Sequence, residues 1–179
     1  LLKELLVNPS ESAQIQIAAA LGLAEMGDDS GKDRATKAVL QKEPWSNTAI
    51  RALEKLQAKD AIPQIDQAAQ SAGNPYDRSV ARIAAFRIRL AGKTNGEQLD
   101  ILENALRDKD SREVRKWAAM RLAEIGSPEA GQRLAAVAKG GDPVLADAAA
   151  RGLRVGVERN AWAKEKISTW MGDHERKGH

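Results

Sequence analysis

The stretch Val114-Arg115-Lys116-Trp117-Ala118-Ala119-Met120-Arg121-Leu122-Ala123-Glu124-Ile125-Gly126 decides the fold. Its apolar frame sits at offsets 0, 4, 8 and 11 from Val114 and closes on a glycine. At about 100° per residue these positions share one face of a helix. The Ala pair removes bulk where a neighbouring helix must come close. The same frame fits Ile15…Ala19-Ala20…Leu23…Met26-Gly27 and Trp45…Ala49-Ile50…Leu53…Leu56-Gln57. It fits again at Val80…Ala84-Ala85…Ile88…Ala91-Gly92 and at Val144…Ala148-Ala149…Val155-Gly156. The lead positions 15, 45, 80, 114 and 144 are spaced by 30, 35, 34 and 30 residues. A period in this range marks a stacked-repeat solenoid.

Starts and stops are written into each copy. Asn8-Pro9, Asn74-Pro75 and Asp142-Pro143 each place a cap residue before a first-turn proline. Asp110-x-x-Glu113 reads as an acidic capping box. Gly27, Gly92, Gly126 and Gly156 are expected to end helices, at least two of them with positive φ. Gln57 replaces the glycine in the second copy. A shorter second helix is expected after each stop, at about 32–41, 61–69, 97–107, 129–139 and 161–171. The expectation is therefore an all-α, right-handed α-solenoid of five helical hairpins. Its repeats run 8–42, 43–71, 74–108, 110–140 and 142–171. Residues 1–7, LLKELLV, read as the end of a preceding repeat helix. With no initial Met, an upstream segment is expected, and the chain reads as a piece of a longer protein. Residues 172–179 read as a disordered polar tail.

Composition agrees with a helical array. Apolar residues are 42 % of the chain, charged residues 30 % and aromatics 3 %. Small aliphatic side chains suit closely packed helix pairs. The formal net charge of +3 permits attraction to acidic surfaces without demanding nucleic acid. There is no Cys, which excludes disulfides and thiolate metal sites. No apolar run reaches the ~18 residues of a membrane span.

The frame V-R-x-x-A-A-x-x-L-x-x-I-G at Val114–Gly126, with Ala61-Ile62-Pro63-x-Ile65 in a partner helix, resembles HEAT-like repeats of the phycobilisome-lyase type. The third copy departs from the pattern with Ala81 where the family favours Arg. The second has Trp45-Ser46, and the fifth has Gly152 at the usual Leu. The resemblance implies the solenoid fold. It leaves function open among tetrapyrrole lyase subunits, scaffolds and helical domains appended to enzymes.

Catalytic chemistry finds few residues to use. The two histidines, His174 and His179, both lie in the tail. His174-Glu175 is the single His-Glu pair, against the repeated pairs that hold iron in some HEAT-like enzymes. Without Cys or a His inside the repeats, the usual nucleophile–base pairs cannot be assembled. No catalytic, cofactor or metal residue is assigned, and the chain reads as non-catalytic.

Candidate interaction residues are Arg87, Arg121, Arg151, Trp117 and Trp162. The three arginines share offset 7 of successive copies, so they are expected to align along one edge of the first-helix layer. Such a ladder grips an acidic strip, or its charges pair with local acids such as Asp77, Glu113 and Asp147. Trp45 holds a lead position and reads as core packing. Trp170 reads as closing the last repeat with Ile167 and Ala163. Trp117 and Trp162 fall off the clear stripes and are candidate interface anchors. The resemblance puts the second helices on the concave face. Their charge changes sign along the array: Lys32, Arg34 and Lys37, then Glu97, Asp100 and Glu103, then Arg133 and Lys139. That mosaic suits a protein partner better than the continuous basic strip that nucleic acid needs. The expected function is a scaffold or binding module for another protein. The alternatives are a domain appended to a metallopeptidase-like enzyme, a bilin or tetrapyrrole lyase subunit, and a HEAT-like nucleic-acid binder.

Overall fold

The computed structural model describes residues 1–159 and 161–172. These residues form eleven helices and no strand: α1 (Leu2–Val7), α2 (Ala13–Glu25), α3 (Lys32–Leu40), α4 (Ser46–Lys55), α5 (Ile62–Ser71), α6 (Pro75–Leu90), α7 (Asn95–Leu106), α8 (Arg112–Ile125), α9 (Pro128–Lys139), α10 (Pro143–Glu158) and α11 (Lys164–Met171). The fold is all-α and of the α-solenoid class. The even-numbered helices α2 to α10 carry the repeated frame, and α3, α5, α7, α9 and α11 are the second helices. Beyond Gly172, the tail lies outside the described residues.

The chain divides into two compact units, Leu1–Gly92 and Lys93–His179. In the first, α4 packs across α2 and α3, and α6 packs across α4 and α5. Its core joins Ile17, Val39, Ile50, Leu53, Ile65 and Ile88 through the small residues between them. A second cluster seats α1 on α2 through Leu6, Ala20 and Leu23. In the second unit, α8 packs on α7, α10 packs across α8 and α9, and α11 rests on α9. Full burial of each Leu or Ile contributes roughly 1.5–3 kcal/mol.

The frame is borne out at its centre. Offsets 4 and 5 are buried in all five copies, from Ala19-Ala20 to Ala148-Ala149. Offset 8 is buried as Leu23, Leu53, Ile88 and Leu122. At Gly152 a Cβ would lie 2.9 Å from the Ala119 carbonyl. The glycine therefore lets α10 press onto α8, and Leu153 takes the core place beside it.

The lead positions need correction. Only Val114 is fully buried there. Ile15 and Val144 fall in the first turns of their helices and stay exposed. Trp45 is the N-cap of α4 and is 42 % exposed, so it is not a core residue.

Three stops behave as expected, with φ of 75° at Gly27, 72° at Gly92 and 66° at Gly126. Gln57 takes the same left-handed turn at φ 51° despite its side chain. The amides of Asp28 and Ala58 donate to Leu23 and Leu53 at 2.9 and 3.0 Å, the 6→1 bond of a Schellman turn in both copies. Gly156 breaks the rule, because α10 runs through it to Glu158. Its lack of a side chain makes room for Trp162 instead.

Capping is also mixed. Asn74 and Asp142 accept from first-turn amides as expected. Asn8 instead ends α1, and α2 is capped by Ser12. Ser111, not Asp110, caps α8. The complete capping box lies elsewhere, between Thr94 and Glu97.

Candidate functional site

The three offset-7 arginines are exposed, and each meets a carboxylate. Arg87 reaches Glu54 of α4 at 3.0 Å. Arg121 pairs with Glu124, one turn further along α8. Arg151 pairs with Asp147 at 3.0 Å within α10. Asp147 is among the acids expected from position. Asp77 instead accepts from Asn47 at 2.6 Å and closes the α6 cap. Burial pushes the Glu124 carboxyl up, but hydrogen bonds and charge from Arg121 and Arg159 outweigh it and leave it below its ordinary value.

Grooves between consecutive first helices hold two of these arginines. In the first unit, Arg51, Lys55, Tyr76, Val80, Ile83 and Arg87 line a groove of about 550 Å³ between α4 and α6. Tyr76 is 74 % exposed there. In the second unit, Arg112, Lys116, Val144, Asp147 and Arg151 line a groove of about 440 Å³ between α8 and α10. Each groove combines cations with an apolar patch. Arg121 lines neither.

The tryptophans divide differently from expectation. Trp117 is half-buried on α8. Trp162 is only 4 % exposed, so it is not a surface anchor. Its Nε1 donates to the Ser127 carbonyl at 3.0 Å. Trp170 meets it edge-on, with ring centroids 5.9 Å apart. A Cβ on Gly131 would lie 2.1 Å from the Trp170 ring, so Trp170 is seated in a glycine notch of α9.

A family model described as HEAT repeats matches residues 77–154. Residues 77–154 are therefore similar to HEAT repeats. The match contains Val114–Gly126, where the frame is cleanest. None of the curated proteins matches the chain.

Several charges on the second helices are spent on neighbouring segments. Arg133 of α9 bonds Asp100 and Glu103 of α7 at 2.6 and 3.1 Å. Burial alone would lower the Arg133 pKa, but these carboxylates and Glu129 raise it. Lys32 bonds Asp60 at 2.8 Å, which raises the lysine and lowers the aspartate. Arg34 holds both oxygens of Glu43 and also Gln16. The alternation of sign therefore includes cross-repeat pairing.

Sequence reasoning missed a set of polar donors that lock the turns between repeats. Gln16 donates to the Asn8 carbonyl at 2.9 Å, Arg78 to Ala72 at 3.4 Å and Arg115 to Asp108 at 2.6 Å. Gln16 and Arg115 share offset 1 of the frame, so the Arg of the V-R motif is a buried turn lock. Its signal was a polar residue beside the apolar stripe.

No three His, Asp or Glu side chains converge to hold a metal among the described residues. His174, Glu175 and His179 lie outside them. No described helix is long and apolar enough to cross a membrane.

Proposed function

We propose that the chain is a non-catalytic protein-binding module that contacts its partner along the grooves of its first helices. The observation that carries this reading is Tyr76, 74 % exposed in a groove walled by Arg51, Lys55 and Arg87. Tyr and Arg are the residue types that dominate binding energy at protein interfaces. The lining is cationic on balance, because Glu54 already engages Arg87. The partner surface is therefore acidic with an apolar centre. Support for a non-catalytic role is the absence of Cys and the placement of both His beyond the repeats.

The test is affinity capture with the full-length natural protein, run beside Tyr76→Ala and Arg51→Glu variants of equal thermal stability. A protein retained by the parent and lost by both variants supports the reading. Retention that ignores both changes overturns it. Retained nucleic acid, or a change in bilin absorbance on mixing, would point instead to a nucleic-acid binder or a lyase-type subunit.

A further inference from the structure

Within each unit, a helical hairpin is covered by the first helix that follows it. α4 covers α2 and α3, α6 covers α4 and α5, and α10 covers α8 and α9. No helix among the described residues covers the α10–α11 hairpin, which offers the same kind of slot. It is a mostly apolar groove of about 410 Å³, with Leu153, Val157, Ile167 and Met171 in its lining and Arg154 and Lys164 beside them.

The filled slot on α8 shows what such a slot accepts. α10 enters it with Ala148, Ala149, Gly152 and Leu153 buried. At its edge, Glu124 of α8 receives Arg159 from the entering helix at 3.3 Å. Glu124 stands ten residues after the lead Val114, and ten residues after Val144 stands Arg154. The open slot therefore carries the opposite charge at the same edge. Lys164 adds a second cation from α11. Neither cation meets a carboxylate among the described residues.

We infer that this groove docks an amphipathic helix of another protein, with Ala and Leu on its buried face and Asp or Glu on its flanks. An apolar groove reads helices through i, i+3, i+4 and i+7 anchors, and the rim charges set which helix enters. A second copy of α10 is a poor occupant, because its Arg159 would face Arg154. The inference rests on the protein-binding reading but uses a different surface from the Tyr76 groove.

The probe is a fluorescein-labelled helical peptide with Ala and Leu on one face and Glu on both flanks, beside a counterpart flanked by Lys. Binding is followed by fluorescence anisotropy at two salt concentrations. The expected result is preference for the Glu peptide. Ile167→Asp, and separately the exposed double change Arg154→Glu with Lys164→Glu, should each weaken its binding by about tenfold or more. The double variant should turn the preference toward the Lys peptide, with circular-dichroism melts checking that both variants fold. Equal binding of the two peptides, no binding, or indifference to the double change would overturn the inference. So would concentration-dependent dimerisation abolished by Ile167→Asp, which would make a second copy the occupant. Failure here with capture through Tyr76 intact removes only this groove, whereas loss of capture removes the broader reading.

Discussion

The indole of Trp162 lies over Gly156: a Cβ on that glycine would come within 2.1 Å of two ring carbons. Gly156→Ala must therefore displace the ring or bend α10. Overpacking of this kind costs about 1–3 kcal/mol, against a helix-propensity gain of about 1 kcal/mol. The expected outcome is a lower melting temperature. In a Trp162→Ala background the same change should become neutral or stabilising, because the obstacle is gone. A wild-type background in which Gly156→Ala raises the melting temperature would refute this packing.

That pair also shows how far the sequence could be read. The centre of the frame was legible because burial there follows helical periodicity, and Ala118-Ala119-Leu122 states it plainly. Gly126 and Gly156 occupy the same place in that frame, yet one ends a helix and the other receives an aromatic ring. Periodicity cannot separate a stop from a seat, since the decision depends on where the chain returns. Trp162 returns through residues with no repeat pattern, so its burial was not visible. Asp147 was legible as a partner of Arg151 because it lies one turn away on the same helix. The partner of Arg87 was not, because Glu54 meets it from another helix. Only spatial register supplies such a pair.

Gln57 is a residue in a glycine's place. It holds φ at 51°, where a side chain on an L-residue costs roughly 1–2 kcal/mol. Gln57→Gly should relieve part of this and raise stability by about 0.5–1 kcal/mol, less the entropy a glycine adds to the unfolded chain. Gly27→Gln, made in the equivalent turn, should do the reverse. Chemical denaturation of the two variants checks both signs.

Glu97 gives stability an acid limb. Its hydrogen bond from Lys93, and then its bonds with Thr94, hold its pKa down from 4.5 to about 2. A carboxyl depressed in the folded state contributes stability that is fully present above its unfolded pKa. That contribution fades as pH falls from 4.5 toward 2. Glu97→Gln removes the charge and should lower stability at neutral pH. The gap between parent and variant should narrow across that window and close below it. Melts at a series of pH values test this, and a gap that stays constant with pH would assign the effect to hydrogen-bond geometry alone.

The exposed arginines and Arg34 should separate by burial. Arg121 and Arg151 pair within their own helices, with both side chains well exposed to water. Arg121→Ala and Arg151→Ala should each cost only about 0–1 kcal/mol, because solvent screens the charge and ordering the long side chains offsets much of the gain. Arg34 is a different case. Its guanidinium meets both oxygens of Glu43 at 3.0 and 2.8 Å, and its Nε donates to Gln16 at 2.8 Å. The Arg34 and Glu43 side chains are 16 % and 17 % exposed, so water cannot replace a lost partner well. Truncation there also leaves the Glu43 charge partly desolvated. Charge-assisted hydrogen bonds of this kind are worth about 1.5–3 kcal/mol each way they are measured. Arg34→Lys keeps the charge but cannot reproduce the fork, so it should recover only part of the loss seen in Arg34→Ala. Denaturant melts of the four variants at low and high salt decide the matter. The Arg121 and Arg151 effects should vanish in salt while the Arg34 effect persists, and an Arg34→Ala loss no larger than the surface pairs would show that the fork contributes no more than an exposed contact.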